Sequence, residues 1–140
     1  MADLVITAAN VTAADGAVTK DSSYNAGATI TAGQAVYSDS TDSNDLKLAQ
    51  SDGTAAEATV KGIAMGGGAD GQPITIAKAG DIDLGATLTV GKIYCLSQTA
   101  GGICPVDDLT TGDYVSIIGV ATAADNLEIH IINSGVEVPA

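Results

Sequence analysis

The 140-residue chain has no phenylalanine and no tryptophan, and its only aromatic side chains are four tyrosines. Its hydrophobic core must therefore be built from valine, isoleucine, leucine and alanine, each of which buries little apolar area. Small aliphatic side chains suit closely packed sheets, and we expect such a domain to gain stability from contacts between subunits. The scarcity of aromatic residues also argues against a sugar-binding surface, because sugar sites favour aromatic platforms.

Basic residues are scarce too: five Lys and Arg stand against 17 Asp and Glu, which gives a net charge of −12. This balance argues against a nucleic-acid partner, whose phosphates are bound by Lys and Arg, and against an anionic membrane surface. The acidity serves either solubility or attraction to a basic partner surface.

Long apolar runs are absent as well. None approaches the ~20 residues that a transmembrane helix needs. The start of the chain, Met1-Ala2-Asp3, lacks the basic segment and the apolar stretch of a signal peptide. We therefore expect synthesis in the cytosol.

One pattern occurs twice in the sequence. Residues 27–37 read GATITAGQAVY and residues 85–96 read GATLTVGKIYCL, so the second copy begins 58 positions after the first. Further along, Gly62-Ile63-Ala64 recurs 57 positions later as Gly119-Val120-Ala121. Matching segments in the same order predict two tandem copies of one β unit. We expect residues 1–26 to form an N-terminal arm or hairpin and residues 27–140 a single β domain, with pseudo-repeats at about 27–80 and 85–135.

Short alternating segments separated by glycine-rich turns predict an all-β fold, a compact sandwich or barrel of short strands. Helical periodicity is not sustained anywhere, and Thr54–Ala58 is the one segment where a single helical turn is expected. Before the repeats, Leu4–Thr7 reads as a short strand, Ala13–Gly16 as a turn and Ala17–Lys20 as a returning strand. This region is either a hairpin packed on the body or an extended arm.

Single motifs give little evidence of catalysis. His130, the only histidine, shares the polar face of a strand with Glu128, which predicts a surface position, and no G-x-S-x-G nucleophile elbow is present. The glycines between Gly62 and Gly71 lack the Gly-Lys-Ser/Thr ending of a phosphate loop, and Pro73 follows where a helix is needed. A loop that needs positive φ is the plainer explanation.

The clustered acids do not fit a known calcium loop. Asp39, Asp42 and Asp45 are spaced three apart, whereas an EF-hand spaces its first ligands two apart and closes with a glutamate. Asp81 and Asp83 share one face of a strand-like run. Solvated loops are the first interpretation for both groups, and a weak Ca²⁺ or Mg²⁺ site is the alternative.

Cys95 and Cys104 are the only cysteines, too few for a zinc site made by protein ligands alone. A hairpin centred on Thr99-Ala100 sets them directly opposite each other, although a turn at Gly101-Gly102 gives another register. In a non-hydrogen-bonded pair their Cα atoms would be ~4.5 Å apart, at the short end of the disulfide range. A disulfide and two free thiols both remain open, because cytosolic synthesis favours thiols.

Four segments together resemble the head decoration, or capsid cement, proteins of tailed bacteriophages. They span most of residues 27–135, and their order and spacing carry the resemblance. The segments are Gly33–Tyr37, Val60–Ala64 with Ala69–Thr75, Gly85–Gly102 and Gly112–Ala121.

The resemblance implies a virion structural protein that binds the outer surface of the major capsid protein lattice, often as a homotrimer, and stabilises the shell. Such proteins are not enzymes and hold no cofactor. Their N-terminal arms commonly contact the capsid, which makes Leu4, Val5 and Ile6 candidate contacts. The cysteine pair departs from the family pattern. The alternative fold is an α+β decoration-protein fold, and the alternative function is a surface- or carbohydrate-binding module of a tail or fibre.

Overall fold

The computed structural model describes residues 3–14 and 18–139, and its regular elements there are strands and two short 3₁₀ turns, Ala8–Asn10 and Val106–Asp108. The predicted all-β class is confirmed, and the α+β alternative is wrong because no α-helix occurs in these ranges. None of the described helical segments is long and apolar enough to span a membrane. The strands are β1 (Thr12–Ala13), β2 (Thr19–Asn25), β3 (Ala35–Asp39), β4 (Asp45–Leu48), β5 (Gly62–Ala64), β6 (Pro73–Asp83), β7 (Ile93–Leu96), β8 (Ile103–Pro105), β9 (Tyr114–Ala121) and β10 (Asn126–Glu137).

All ten strands belong to one curled antiparallel sheet, in which β6 is the central strand. The hydrogen-bonded path runs β4-β3-β5-β6-β10-β9-β7-β8, and β1 and β2 also pair with β6. Along one edge of β6, Ile76 and Ala77 pair with β5 and the later residues pair with β10. β2 and β1 follow one another along the other edge. The strand runs past Gly80, where the first pseudo-repeat was expected to end, to Asp83.

The two halves of the sheet repeat one strand order, because β3, β4, β5 and β6 are connected as β7, β8, β9 and β10 are. Their turns also match. Gly33 N–H donates to the Ala64 carbonyl at 2.8 Å, and Gly91 N–H donates to the Ala121 carbonyl at 2.8 Å. Both glycines have positive φ, 90° and 81°, a conformation that strains other residues. The two copies of the sequence pattern therefore form the same local structure.

Buried apolar side chains form two clusters. The larger cluster lies between one face of the first half (β3, β5 and the start of β6) and the inner face of the second half (β7 to β10), and it includes Ala35, Ile63, Ala77, Ile82, Leu84, Leu88, Tyr94, Leu96, Ile103, Ile118, Leu127 and Ile129. The smaller cluster fills the opposite face of the first half, with Ala26, Ile30, Val36, Leu46, Ala64, Ile74 and Ile76. The first half is thus buried on both faces, whereas the second half has one fully buried face and an opposite face that is buried only in part, at Cys95 and Cys104.

The N-terminal region is not a hairpin. Thr12 and Ala13 pair with Asp83 and Ile82, and β2 pairs with the earlier part of β6, so the two segments never pair with each other. Leu4–Thr7 is extended but is not a strand. Asp15 and Gly16 of the predicted turn, and Ala17 of the predicted returning strand, lie outside the described residues.

The helical turn predicted at Thr54–Ala58 is present as one hydrogen-bonded turn. Ala58 N–H donates to the Thr54 carbonyl at 3.1 Å. Glu57 Oε1 accepts from Thr54 N–H at 3.0 Å, and Thr54 Oγ1 accepts from Glu57 N–H at 3.3 Å. These reciprocal bonds form a capping box, which stabilises the start of a helix.

Candidate functional site

An apolar surface lies on the outer face of the second half of the sheet. Ile93 on β7 is directly opposite Val120 on β9, and Ile117 on β9 is directly opposite Ile132 on β10. Directly opposite residues point to the same side of a sheet. Ile93 and Cys95 are two apart on β7 and pair with Val120 and Ile117, so all four apolar side chains share one side, and we call them the outer patch. Ile93, Val120 and Ile132 are 38, 37 and 57% exposed, and Ile117 is half-buried.

The same positions are closed in the first half of the sheet. Ala35 pairs with Ile63 as Ile93 pairs with Val120, and both Ala35 and Ile63 are fully buried. The face that covers the core in the first copy is therefore open in the second. A contiguous exposed apolar patch on a sheet is characteristic of a binding surface.

Acidic side chains flank the outer patch. Val120 pairs with Glu128, and Glu128 pairs with Asp81 on β6, so both carboxylates continue the row that Ile93 begins. Glu128 Oε1 lies 3.3 Å from His130 Nε2. On the side of β7, Lys92 Nζ lies 2.6 Å from an Asp107 carboxylate oxygen, and this ion pair raises the pKa of Lys92. The patch thus presents apolar side chains beside the carboxylates of Glu128 and Asp81, an arrangement that favours a basic partner surface.

The predicted contact residues of the arm lie against the body of the protein. Leu4 and Ile6 are half-buried and pack on the larger core cluster, whereas Val5 is 86% exposed. Leu4 N–H donates to the Ile103 carbonyl at 2.8 Å, and Thr7 N–H donates to the Gly85 carbonyl at 2.9 Å. Of the three, only Val5 presents its side chain to solvent.

The predicted register of the cysteine pair is confirmed, since Cys95 lies directly opposite Cys104. The pair type differs from the expectation. Ser97 N–H donates to the Gly102 carbonyl at 3.0 Å, and alternation along the hairpin makes Cys95 and Cys104 a hydrogen-bonded pair. The Cα separation in such a pair is ~5.5 Å and the side chains are farther apart than in the other type.

Both cysteines are buried free thiols in the structure. Burial raises the pKa of Cys95 to about 11 and that of Cys104 to about 12. A thiol that stays protonated is a poor nucleophile and a poor metal ligand. The disulfide remains a prediction, because a Cα separation of ~5.5 Å lies within the disulfide range while the structure holds both cysteines as free thiols.

The other residues that the sequence singled out do not converge. His130 is on the surface as predicted, with 72% of its side chain exposed. Asp39 and Asp42 both bind Lys47 Nζ, at 2.9 and 3.2 Å, so one lysine offsets part of their charge within the protein. In the glycine loop, Gly71 has the predicted positive φ of 88°. Across residues 3–14 and 18–139, no group of three or more His, Cys, Asp or Glu is placed to hold a metal ion.

The outer patch was missed by sequence reasoning, although the sequence carries a signal for it. Ile93 and Val120 are apolar in the second copy at positions that are also apolar in the first, Ala35 and Ile63. Comparing the two copies identifies the face. The sequence does not show which copy leaves that face uncovered.

Comparison with known proteins adds no relative. No protein-family model matches the chain, and no curated protein matches it.

Proposed function

We propose that the protein is a bacteriophage virion structural protein that binds the outer surface of the major capsid protein lattice and stabilises the shell. The proposal begins from the sequence resemblance to decoration proteins. The observation that carries it is the outer patch, an apolar sheet face with acidic neighbours that is exposed in one copy of the repeat and buried in the other. Its partner surface would be apolar at the centre with Lys or Arg at the rim.

The repeating lattice explains how a small patch can suffice. Four aliphatic side chains supply modest binding free energy, but many copies engaging one shell act together. The net charge of −12 adds an electrostatic attraction to a basic partner, and this attraction weakens as the ionic strength rises. The proposal includes a homo-oligomer of this chain, such as the trimer common among decoration proteins. Subunits joined to each other would add to this avidity.

The test mixes purified protein with undecorated shells assembled from the major capsid protein of the same genome. We expect saturable binding, a higher temperature of shell disruption and weaker binding at high salt. Val120→Asp is expected to weaken binding about tenfold or more, because it places a charge within an apolar contact. Val136→Asp is the matched control, since Val136 is exposed but is not part of the outer patch.

Two results would contradict parts of this proposal. Failure of the wild-type protein to bind shells at any salt concentration would refute the function. Binding that Val120→Asp and Val136→Asp reduce equally would retain the function and reject the outer patch as its surface.

A further inference from the structure

In the second half of the sheet, the segment at Gly85 and strand β8 are separated by a gap, which we call the seam. The corresponding two segments of the first half bond directly to each other. In the first half the chain after β2 meets β4, where Gly27 N–H donates to the Leu46 carbonyl at 2.7 Å. The repeat places Gly85 at the position of Gly27 and Ile103 at that of Leu46. In the second half, however, Leu4 N–H donates a hydrogen bond to the Ile103 carbonyl, and Thr7 N–H donates one to the Gly85 carbonyl. The N-terminal arm thus lies between two segments whose counterparts bond directly.

Glycines give the seam its close fit to the arm. A Cβ added at Gly85 would lie 2.5 Å from the Thr7 carbonyl oxygen, and one at Gly33 would lie 2.5 Å from Ile6 Cγ2. One at Gly102 would lie 3.0 Å from an Asp3 carboxylate oxygen. At Gly27 the nearest atoms instead belong to Asp45, Lys47 and Leu46 around β4. The seam is therefore shaped for an extended segment with apolar side chains at alternate positions, as Leu4 and Ile6 are.

Among the described residues, the segment 3–7 is held in the seam by the two backbone hydrogen bonds of Leu4 and Thr7 and by the bond from Ser97 Oγ–H to the Asp3 carboxylate. Open cavities flank the arm on both sides, one of ≈ 450 Å³ beside Thr89 and Tyr94 and one of ≈ 220 Å³ beside Gly101 and Gly102. Because residues 3–7 are half-buried or exposed and open cavities adjoin them, this segment belongs to the low-stability part of the fold, where local opening is easiest.

We propose that the seam is a strand-binding site for the N-terminal arm of a second copy of this chain, so that neighbouring subunits exchange arms. A second copy carries the identical segment and would form the same bonds, so the exchange changes only the path of the connecting residues. Those residues include the 3₁₀ turn Ala8–Asn10, all of whose side chains are exposed. The proposal is independent of the capsid partner, because arm and seam both belong to this chain.

The first test detects exchange by disulfide trapping between two different chains. Asp3→Cys is made in one chain and Ser97→Cys in another, both with Cys95→Ala and Cys104→Ala, and the two proteins are refolded together and oxidised. Ser97 Oγ lies 2.5 Å from an Asp3 carboxylate oxygen, so an exchanged arm brings the two thiols together. We expect cross-chain disulfide to form about tenfold or more faster than in the control, because docking raises the effective concentration.

The control pair is Val5→Cys with Ser97→Cys in the same background, because Val5 points away from the seam into solvent. Equal rates for the two pairs, or disulfides formed only between identical chains, would overturn the proposal.

A second measurement uses the wild-type chain. Isotope-labelled and unlabelled protein are refolded together, and isotope-filtered spectra are searched for contacts between Ile6 methyl protons and Gly33 α-protons. Contacts between chains support exchange. Contacts confined to one chain, or a protein that stays monomeric at all concentrations, would overturn it.

Discussion

Ile93 lies directly opposite Val120 on the outer face of the second half of the sheet, and both side chains are more than a third exposed. Their counterparts, Ala35 and Ile63, are opposite each other and fully buried. The difference arises because the two copies pack face to back. The face of the first half that carries Ala35 and Ile63 lies on the inner face of the second half. A face-to-back contact between two units necessarily leaves one such face without a partner.

Gly85 should be essential for the position of the arm. Gly85→Ala places a methyl group 2.5 Å from the Thr7 carbonyl oxygen at a φ of +61°, so it adds a clash to backbone strain. Gly91→Ala is the matched control, because its φ is +81° and no atom lies within 4 Å of the added Cβ. We expect Gly91→Ala to lower the free energy of unfolding by about 1–2 kcal/mol through strain, and Gly85→Ala to lower it further. Urea unfolding measures both, and hydrogen exchange at Leu4 and Thr7 should accelerate only in Gly85→Ala. Equal effects would contradict the docked arm.

Asn133 should join the two halves of the sheet. Its side-chain Oδ1 accepts from Val60 N–H at 2.9 Å, and its Nδ2–H donates to the Val60 carbonyl at 3.0 Å. Asn133→Asp removes the donor and sets a carboxylate against a carbonyl oxygen, which we expect to lower the free energy of unfolding by about 2 kcal/mol. Asn25→Asp, at an exposed position at the end of β2, controls for the added charge. A midpoint of thermal unfolding shared by both variants would argue against this role.

The cysteines should behave as two protected thiols. Raised pKa values of about 11 and about 12 keep both protonated at neutral pH, so an aromatic disulfide reagent should react slowly with the folded protein. Unfolding without reductant should then release two equivalents of thiol. Release of none would show that the hairpin carries the disulfide instead.

Asp39 should titrate well below an ordinary aspartate. Hydrogen bonds from Lys47 and Thr41 lower its pKa from 3.8 to about 2. Because the pKa is depressed in the folded state, the contribution to stability is present above pH 3.8 and is lost as the pH falls toward 2. Carboxyl-detected NMR should find the midpoint near pH 2 and, in Lys47→Met, closer to the ordinary value. A midpoint that does not move would exclude Lys47 as the main cause.

The features that sequence reasoning predicted correctly depend on neighbours along the chain. The strands around Gly33 and Gly91, the register of Cys95 opposite Cys104 and the outward position of His130 all follow from turn chemistry and from the two-residue period of a strand. These are local constraints, and a single sequence contains them.

The features that it missed depend on pairing between distant segments. The arm was expected either to fold back as a hairpin or to stay extended, but its strands pair with β6, whose residues lie about 50–70 positions away. β6 continues past Gly80 because β10 supplies a partner up to Asp83. No local pattern in either segment records its partner.

The sequence by itself determined that this protein is a duplicated β structure, because glycine positions and apolar alternation act over a few residues and recur in both copies. Only the tertiary structure decided that equivalent faces have different environments, one sealed in the core and the other open to solvent. It also decided that the arm lies between two segments of the second half whose counterparts in the first half bond directly to each other. The physical reason is that burial depends on which surfaces pack together, and two nearly identical segments cannot both occupy the same side of one contact.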